Sequence, residues 1–168
     1  MKTCYGIIVS LALCGHAAIA ADIKVKPSAD PGPSLMAAAL RSTDLERSIK
    51  YYETGLGMVV TGRLVNGPVT EVFLAFAGRE NQPGLLLFRD SSPGKSPALD
   101  QGNAADRVLI RMPDVSAIAA QLKGAGYETG EVHSNGNVKV LMIKDPDGHS
   151  FELAQLPQGD VQVKGSMH

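Results

Sequence analysis

The sequence predicts an α+β fold in which two βαβββ modules form a cupped mixed sheet, and three observations carry that prediction. Arg41-Ser-Thr-Asp44-Leu45 returns 70 residues later as Arg111-Met-Pro-Asp114-Val115, each Arg closing an apolar run and each Asp standing near the start of an amphipathic stretch. The apolar stripe Leu45, Ile49, Tyr52 maps by the same offset onto Val115, Ala119, Leu122. After each stripe come three short apolar runs separated by turn residues. A chain that repeats one supersecondary unit at a fixed offset stacks the copies, here around a shared concavity.

The elements follow in order. Residues 35–41 are a small apolar strand. Thr43 precedes Glu46 by three residues, the capping-box spacing for a helix over 44–54 that Gly55 and Gly57 stop. Residues 58–65, 69–77 and 85–89 read as strands, divided by Asn66-Gly67 and by the polar stretch 78–84. Residues 107–112 open the second unit, and Val115, Ile118, Ala119 and Leu122 follow at helical spacing until Gly124 and Gly126. Strands over 127–132, 138–143 and 150–154 complete it. Asp145-Pro-Asp-Gly148 joins the last two, because Pro presets φ for a tight turn and Gly accepts the left-handed corner.

The flanks bound the setting. Residues 1–20 carry a basic start (Lys2), an apolar core over 7–18 and small residues at Ala18 and Ala20, the pattern of a secretory signal peptide cleaved before Ala21. That core is shorter than the roughly 20 apolar residues that span a bilayer, so a cleaved signal is expected over the alternative of an uncleaved anchor, with no membrane association after cleavage. Leu13 stands before Cys14 where a lipoprotein signal would place a small residue. Residues 21–34 hold three prolines and read as a flexible leader, and 156–168 as a tail. Between them lies one domain over 35–155: module one at 35–90, a Ser/Pro/Gly/Ala-rich connector at 91–105, and module two at 106–155.

Cleavage would remove both cysteines, Cys4 and Cys14, so disulfide and thiol chemistry are excluded even in an oxidising compartment. It would leave 15 basic against 17 acidic residues with no basic run, which argues against nucleic acid as a partner. The expected setting is the periplasm or the cell exterior.

The run from Leu40 through Asp44-Leu-Glu-Arg-Ser-Ile-Lys-Tyr-Tyr52 to Gly55-Leu-Gly57, with the closing Asp145-Pro-Asp-Gly-His-Ser-Phe-Glu-Leu153, resembles the vicinal-oxygen-chelate superfamily. That group includes glyoxalase I, bleomycin-resistance proteins and extradiol dioxygenases. The resemblance implies a glyoxalase-like fold over 35–155, while activity stays open because the fold hosts many chemistries. It also implies a divalent metal held by one side chain from the first and one from the fourth strand of each half. Those positions here are Ala37, Leu87, Arg107 and Glu152. Only Glu152 is a plausible ligand, and one carboxylate does not make the multi-ligand cage such ions need. No metal and no other cofactor are expected.

In one reading Arg107 replaces the metal as counter-ion of Glu152, a fork-on-carboxylate pair. In the other, Arg107 reaches a ligand anion while Glu152 orients it or takes a proton. A general base needs a raised pKa, and a guanidinium neighbour works the other way on a carboxyl, which weighs against base catalysis. The resemblance gives Arg41 a role as well, since glyoxalase I uses the matching Arg to hold a glutathione carboxylate. Strand alternation puts Ala37, Ala39 and Arg41 on one face, and Arg107, Leu109 and Arg111 on the matching face of the repeat. A mostly apolar cup with up to three guanidiniums suits an amphiphilic acid; solvated strand ends are the plainer reading of Arg41 and Arg111. His133 sits in a polar stretch read as a hairpin, His149 in a turn facing away from Glu152, and His168 in the tail.

The leading expectation is therefore a small-molecule binding protein with ligand residues Arg41, Arg107, Arg111 and Glu152. The alternatives are a glyoxalase-like lyase or isomerase acting through Glu152, with or without an atypically held metal, and a ligand-free scaffold or homodimer module.

Overall fold

The computed structural model describes residues 33–95, 98–103 and 105–157. The expected signal peptide, both cysteines, most of the leader and the tail with His168 lie outside the described residues.

Ten elements follow in chain order: β1 (Ala37–Arg41), α1 (Leu45–Leu56), β2 (Met58–Asn66), β3 (Val69–Phe76), β4 (Gly84–Asp90), β5 (Val108–Arg111), α2 (Val115–Gly124), β6 (Val132–Asn135), β7 (Val138–Lys144) and β8 (Ser150–Gln155). They form two four-stranded sheets, ordered β1-β4-β3-β2 and β5-β8-β7-β6. The first pair of each is parallel and the rest antiparallel. This is the expected α+β fold of two βαβββ modules with mixed sheets. Each half contributes its own sheet, and no hydrogen-bonded strand pair joins the two among the described residues.

The repeat is visible in the backbone. Asp44 caps α1 at φ −146° and ψ 102°, and Asp114 caps α2 at φ −148° and ψ 101°. Each carboxylate accepts backbone N–H groups of the first turn, which have no partner within the helix. The expected capping box therefore gives way to Asp44, because the Thr43 hydroxyl is drawn to Asp147 instead. α1 also runs through Gly55 to Leu56 and stops at Gly57, whose φ of 68° suits a residue without Cβ. The strand expected over 127–132 begins only at Val132, and residues 127–131 are irregular. The polar stretch around His133 is the hairpin the sequence suggested, with β6 paired to β7 across Asn135 and Val138.

Both helix stripes are buried: Leu45, Ile49 and Tyr52 of α1, Val115, Ala119 and Leu122 of α2. They belong to one apolar cluster with Val72, Leu74, Leu85 and Leu87 of the first sheet and Leu141, Ile143, Phe151 and Leu153 of the second. An aromatic chain ties α1 to module two. Tyr51 meets Tyr127 edge-on at 4.8 Å between ring centres, and Tyr52 meets Phe151 at 5.9 Å. Such pairs add about 0.5–1.5 kcal/mol each beyond the area they bury.

The turn between β7 and β8 closes the junction. Gly148, at φ 88°, donates its N–H to Asp145 O and turns the chain so that Asp145 and Asp147 both reach α1. Asp147 Oδ1 accepts from Thr43 N at 3.2 Å, Thr43 Oγ1 at 2.5 Å and Arg47 Nη2 at 2.7 Å, while Ser48 Oγ lies 2.9 Å from Oδ2. Tyr52 donates its hydroxyl to Asp145 Oδ2 at 2.6 Å, and Asp145 Oδ1 accepts the N–H groups of Asp147 and His149. Burial pushes the Asp147 carboxyl up, but hydrogen bonds from Thr43 and Ser48 outweigh it and hold the carboxyl below its ordinary pKa.

Removing the Tyr52 hydroxyl by Tyr52→Phe leaves a buried acceptor without its donor, so chemical denaturation should show a loss of about 1–3 kcal/mol. A carboxyl with a lowered folded pKa contributes stability above its unfolded pKa of about 3.9 and loses it as pH falls through the folded value. Asp147→Asn should therefore lower the melting temperature at neutral pH and make the fall below pH ~4 shallower than in the wild type.

Candidate functional site

Glu152 stands at the middle of β8, in register with Leu109 of β5 on one side and Met142 of β7 on the other. Its sequence neighbours Phe151 and Leu153 are fully buried against the helices, so alternation turns Glu152 to the sheet's open face. There it is 20% exposed, beside the open Leu109 and Met142. Arg107, just before β5, reaches the same face and donates Nε–H to Glu152 Oε2 at 2.5 Å. Its Nη1 is also bonded to the exposed carboxylate of Asp106. The bond from Glu152, with the charges of Asp106 and Glu152, holds the Arg107 guanidinium above its ordinary pKa. A guanidinium has five N–H donors, so two bonds leave others for a ligand, although two carboxylates already balance its charge.

Module one repeats this geometry with different side chains. Ala39 is in register with Leu86 as Leu109 is with Glu152, so the counterparts of Arg107 and Glu152 are Ala37 and Leu86. This corrects the expectation of Leu87 at the fourth-strand position. Leu87 is 1% exposed and packs in the core, on the other face of β4. Leucine occupies 85, 86 and 87 alike, so residue type gave no landmark, and only strand pairing selects Leu86.

The three arginines make different contacts. Arg41 closes β1 with its guanidinium 5.1 Å from the centre of the Phe88 ring. Arg111 is exposed and makes no side-chain bond among the described residues. His149 faces away from Glu152, and its Nε2 lies 2.7 Å from Arg41 O, linking the β7–β8 turn to the end of β1. Among the described residues no three of His, Cys, Asp and Glu gather closely enough to hold a metal ion, and no helix is long and apolar enough to cross a membrane.

Two concavities lie among the described residues. A mostly apolar groove of about 590 Å³ lies between α1 and β7, lined by Tyr51, Tyr127, Met142, Ile143 and Pro146 with Lys144 and Ser150. Met142 also pairs across the strands with Glu152, which faces the sheet's open side and does not line this groove. A smaller polar pocket of about 230 Å³ at the ends of β1 and β4 holds Arg41, Arg89 and Lys95 around Asp90. Sequence reading found Arg41 and missed Arg89 and Lys95. The available signal was the end of the fourth strand, where Arg89 precedes Asp90 as the strand meets the connector.

With this geometry in hand, the comparisons with known proteins are direct. Residues 34–153 match the model of the Glyoxalase/Bleomycin resistance protein/Dioxygenase superfamily, and the chain belongs to that family. It is 32% identical over 131 residues to a Vibrio parahaemolyticus protein named "Probable lactoylglutathione lyase", covering 75% of this chain and 93% of that one. A lactoylglutathione lyase of Neisseria meningitidis is 26% identical over 133 residues, covering 77% and 95%. Among solved structures, the trypanothione-dependent glyoxalase I of Leishmania major superposes with a TM-score of 0.62 at 25% identity, over 74% of this chain and 87% of that one. TnmS3, an antibiotic binding protein from a Streptomyces species, shares the fold with a TM-score of 0.60 at 20% identity, over 76% and 99%.

The register makes a pair of opposite predictions. Leu87→Glu buries a carboxylate in the core and should cost roughly 4 kcal/mol or unfold the chain. Leu86→Glu places the same charge on the open face and should stay within about 1 kcal/mol of wild type by denaturant titration.

Proposed function

We propose that this protein is an exported member of the superfamily that binds a small anionic or amphiphilic molecule without a conventional four-ligand metal centre. The observation that carries the proposal is the Arg107–Glu152 ion pair at 2.5 Å, at positions where the family's metal enzymes hold ligands. The residues present do not fit such a centre. Ala37 and Leu86 offer no donor atom, and Arg107 brings a cation to the one carboxylate available. A guanidinium within hydrogen-bond reach of Glu152 repels a divalent ion and competes for the same oxygen.

The spare N–H groups of Arg107 suit a carboxylate or similar anion. The exposed Leu109 and Met142 that flank Glu152 in register suit an apolar body. Export rests on the signal-like residues 1–20. A homodimer fits the open sheet faces, where Leu109 and Met142 leave large apolar side chains exposed.

The second reading is a glyoxalase-like lyase or isomerase acting through Glu152, favoured by relatives near 30% identity that carry the lactoylglutathione lyase name. The two diverge experimentally. Protein purified without chelators should contain no stoichiometric zinc, nickel, iron or manganese by elemental analysis. A carboxylate-bearing ligand recovered by native mass spectrometry should raise its melting temperature, and Arg107→Ala should abolish that rise. Bound metal at one equivalent overturns the proposal. Turnover in a lactoylglutathione lyase assay that disappears in Glu152→Gln would establish the enzyme instead.

A further inference from the structure

The polar pocket at the ends of β1 and β4 is a second, separate concavity with a marked excess of positive charge. Arg41, Arg89 and Lys95 line it against a single carboxylate, Asp90. Counting one unit for each side chain, the wall carries a surplus of two positive charges. The structure assigns this pocket to a phosphate-type dianion, carried free or on a small organic molecule.

Both guanidiniums and the carboxylate are held in place by their neighbours. Arg41 holds its guanidinium 5.1 Å from the centre of the Phe88 ring, a cation–π contact that uses none of its five N–H donors. Arg89 donates Nη1–H to Thr43 O at 2.5 Å, which anchors the guanidinium to the chain leading into α1 while its other donors remain. Asp90 is already engaged. Its Oδ1 accepts the Ser92 N–H at 2.9 Å, and bonds from Ser92, then the charges of Lys95 and Arg41, hold its carboxyl below the ordinary range. It stays ionised and cancels one of the three cations. Lys95 enters no ion pair among the described residues.

The hydroxyl groups are already engaged, Ser42 Oγ with Ser48 Oγ and Ser92 with Asp90. Ser91 Oγ donates to Pro68 O, and Thr43 Oγ1 donates to Asp147. Recognition therefore falls to charge and guanidinium geometry. A phosphate monoester carries about −1.5 to −2 at neutral pH with three acceptor oxygens, which matches a surplus of two where a monocarboxylate would leave one cation unanswered. The volume of about 230 Å³ takes that group and a short organic arm.

The site contains neither Arg107 nor Glu152 and is independent of the ligand reading above. The test is calorimetric titration of the full chain with inorganic phosphate, with acetate as the monoanion and glycerol 3-phosphate as the ester. Phosphate and the ester should bind at least tenfold more tightly than acetate. Lys95→Ala, a change on an exposed connector, should weaken phosphate at least tenfold, and Arg41→Ala should do the same. Arg107→Ala should leave phosphate affinity unchanged. No heat at millimolar phosphate, or equal affinity in Lys95→Ala and wild type, overturns the assignment. Equal binding of acetate refutes the dianion. Loss of phosphate binding in Arg107→Ala alone would move the anion to the Arg107–Glu152 pair, removing this second site while leaving the proposed ligand role of that pair intact.

Discussion

The docking of Asp147 against the start of α1 is the constraint from which the arrangement of the two modules follows. A carboxylate whose side chain is only 1% exposed must find donors for its oxygens, and module two offers it few. Thr43, Arg47 and Ser48 supply them from module one, across about 100 residues of sequence. The N-terminal end of a helix adds its own partial positive charge. Asp145, two residues earlier, binds Tyr52 and fixes the backbone of its own turn. Together these bonds set where the second sheet lies along α1, and the aromatic contacts of Tyr51 and Tyr52 fill the space that results. Gln101 adds a bond from the connector to Asp147 O, so three parts of the chain converge on one turn.

The candidate site lies on the side of the second sheet that this packing leaves open. Burying Phe151 and Leu153 against the helices sends Glu152 outward, and burying Leu85 and Leu87 does the same to Leu86. The two modules then differ where their backbones agree. Module two presents an ion pair, and module one presents alanine and leucine at the equivalent places. A half-exposed pair of this kind is worth little to stability.

The repeat made most of the fold legible. Helix periodicity in 45–52 and 115–122, the Asp caps and the final Asp145-Pro-Asp-Gly148 turn are local features, each stated by a few adjacent residues. Where local signals competed, reading them singly misled. Thr43 and Glu46 carry a capping-box spacing, yet the Thr43 hydroxyl serves Asp147, a partner no local pattern reveals. Residues 127–131 read as strand, but the chain stays irregular until Val132, where pairing with Leu141 begins.

The sequence alone determined the two modules and most of their elements, because periodicity and strand alternation are properties of neighbouring residues, while the resemblance to the superfamily is what placed Arg107 beside Glu152. Only the tertiary structure decided that Leu86 rather than Leu87 faces the open side, that Arg41 and Arg107 make different contacts, and that Arg89 and Lys95 join Arg41 around Asp90. Those facts depend on register between strands and on the path of the connector. Both are settled by which distant surfaces are buried together.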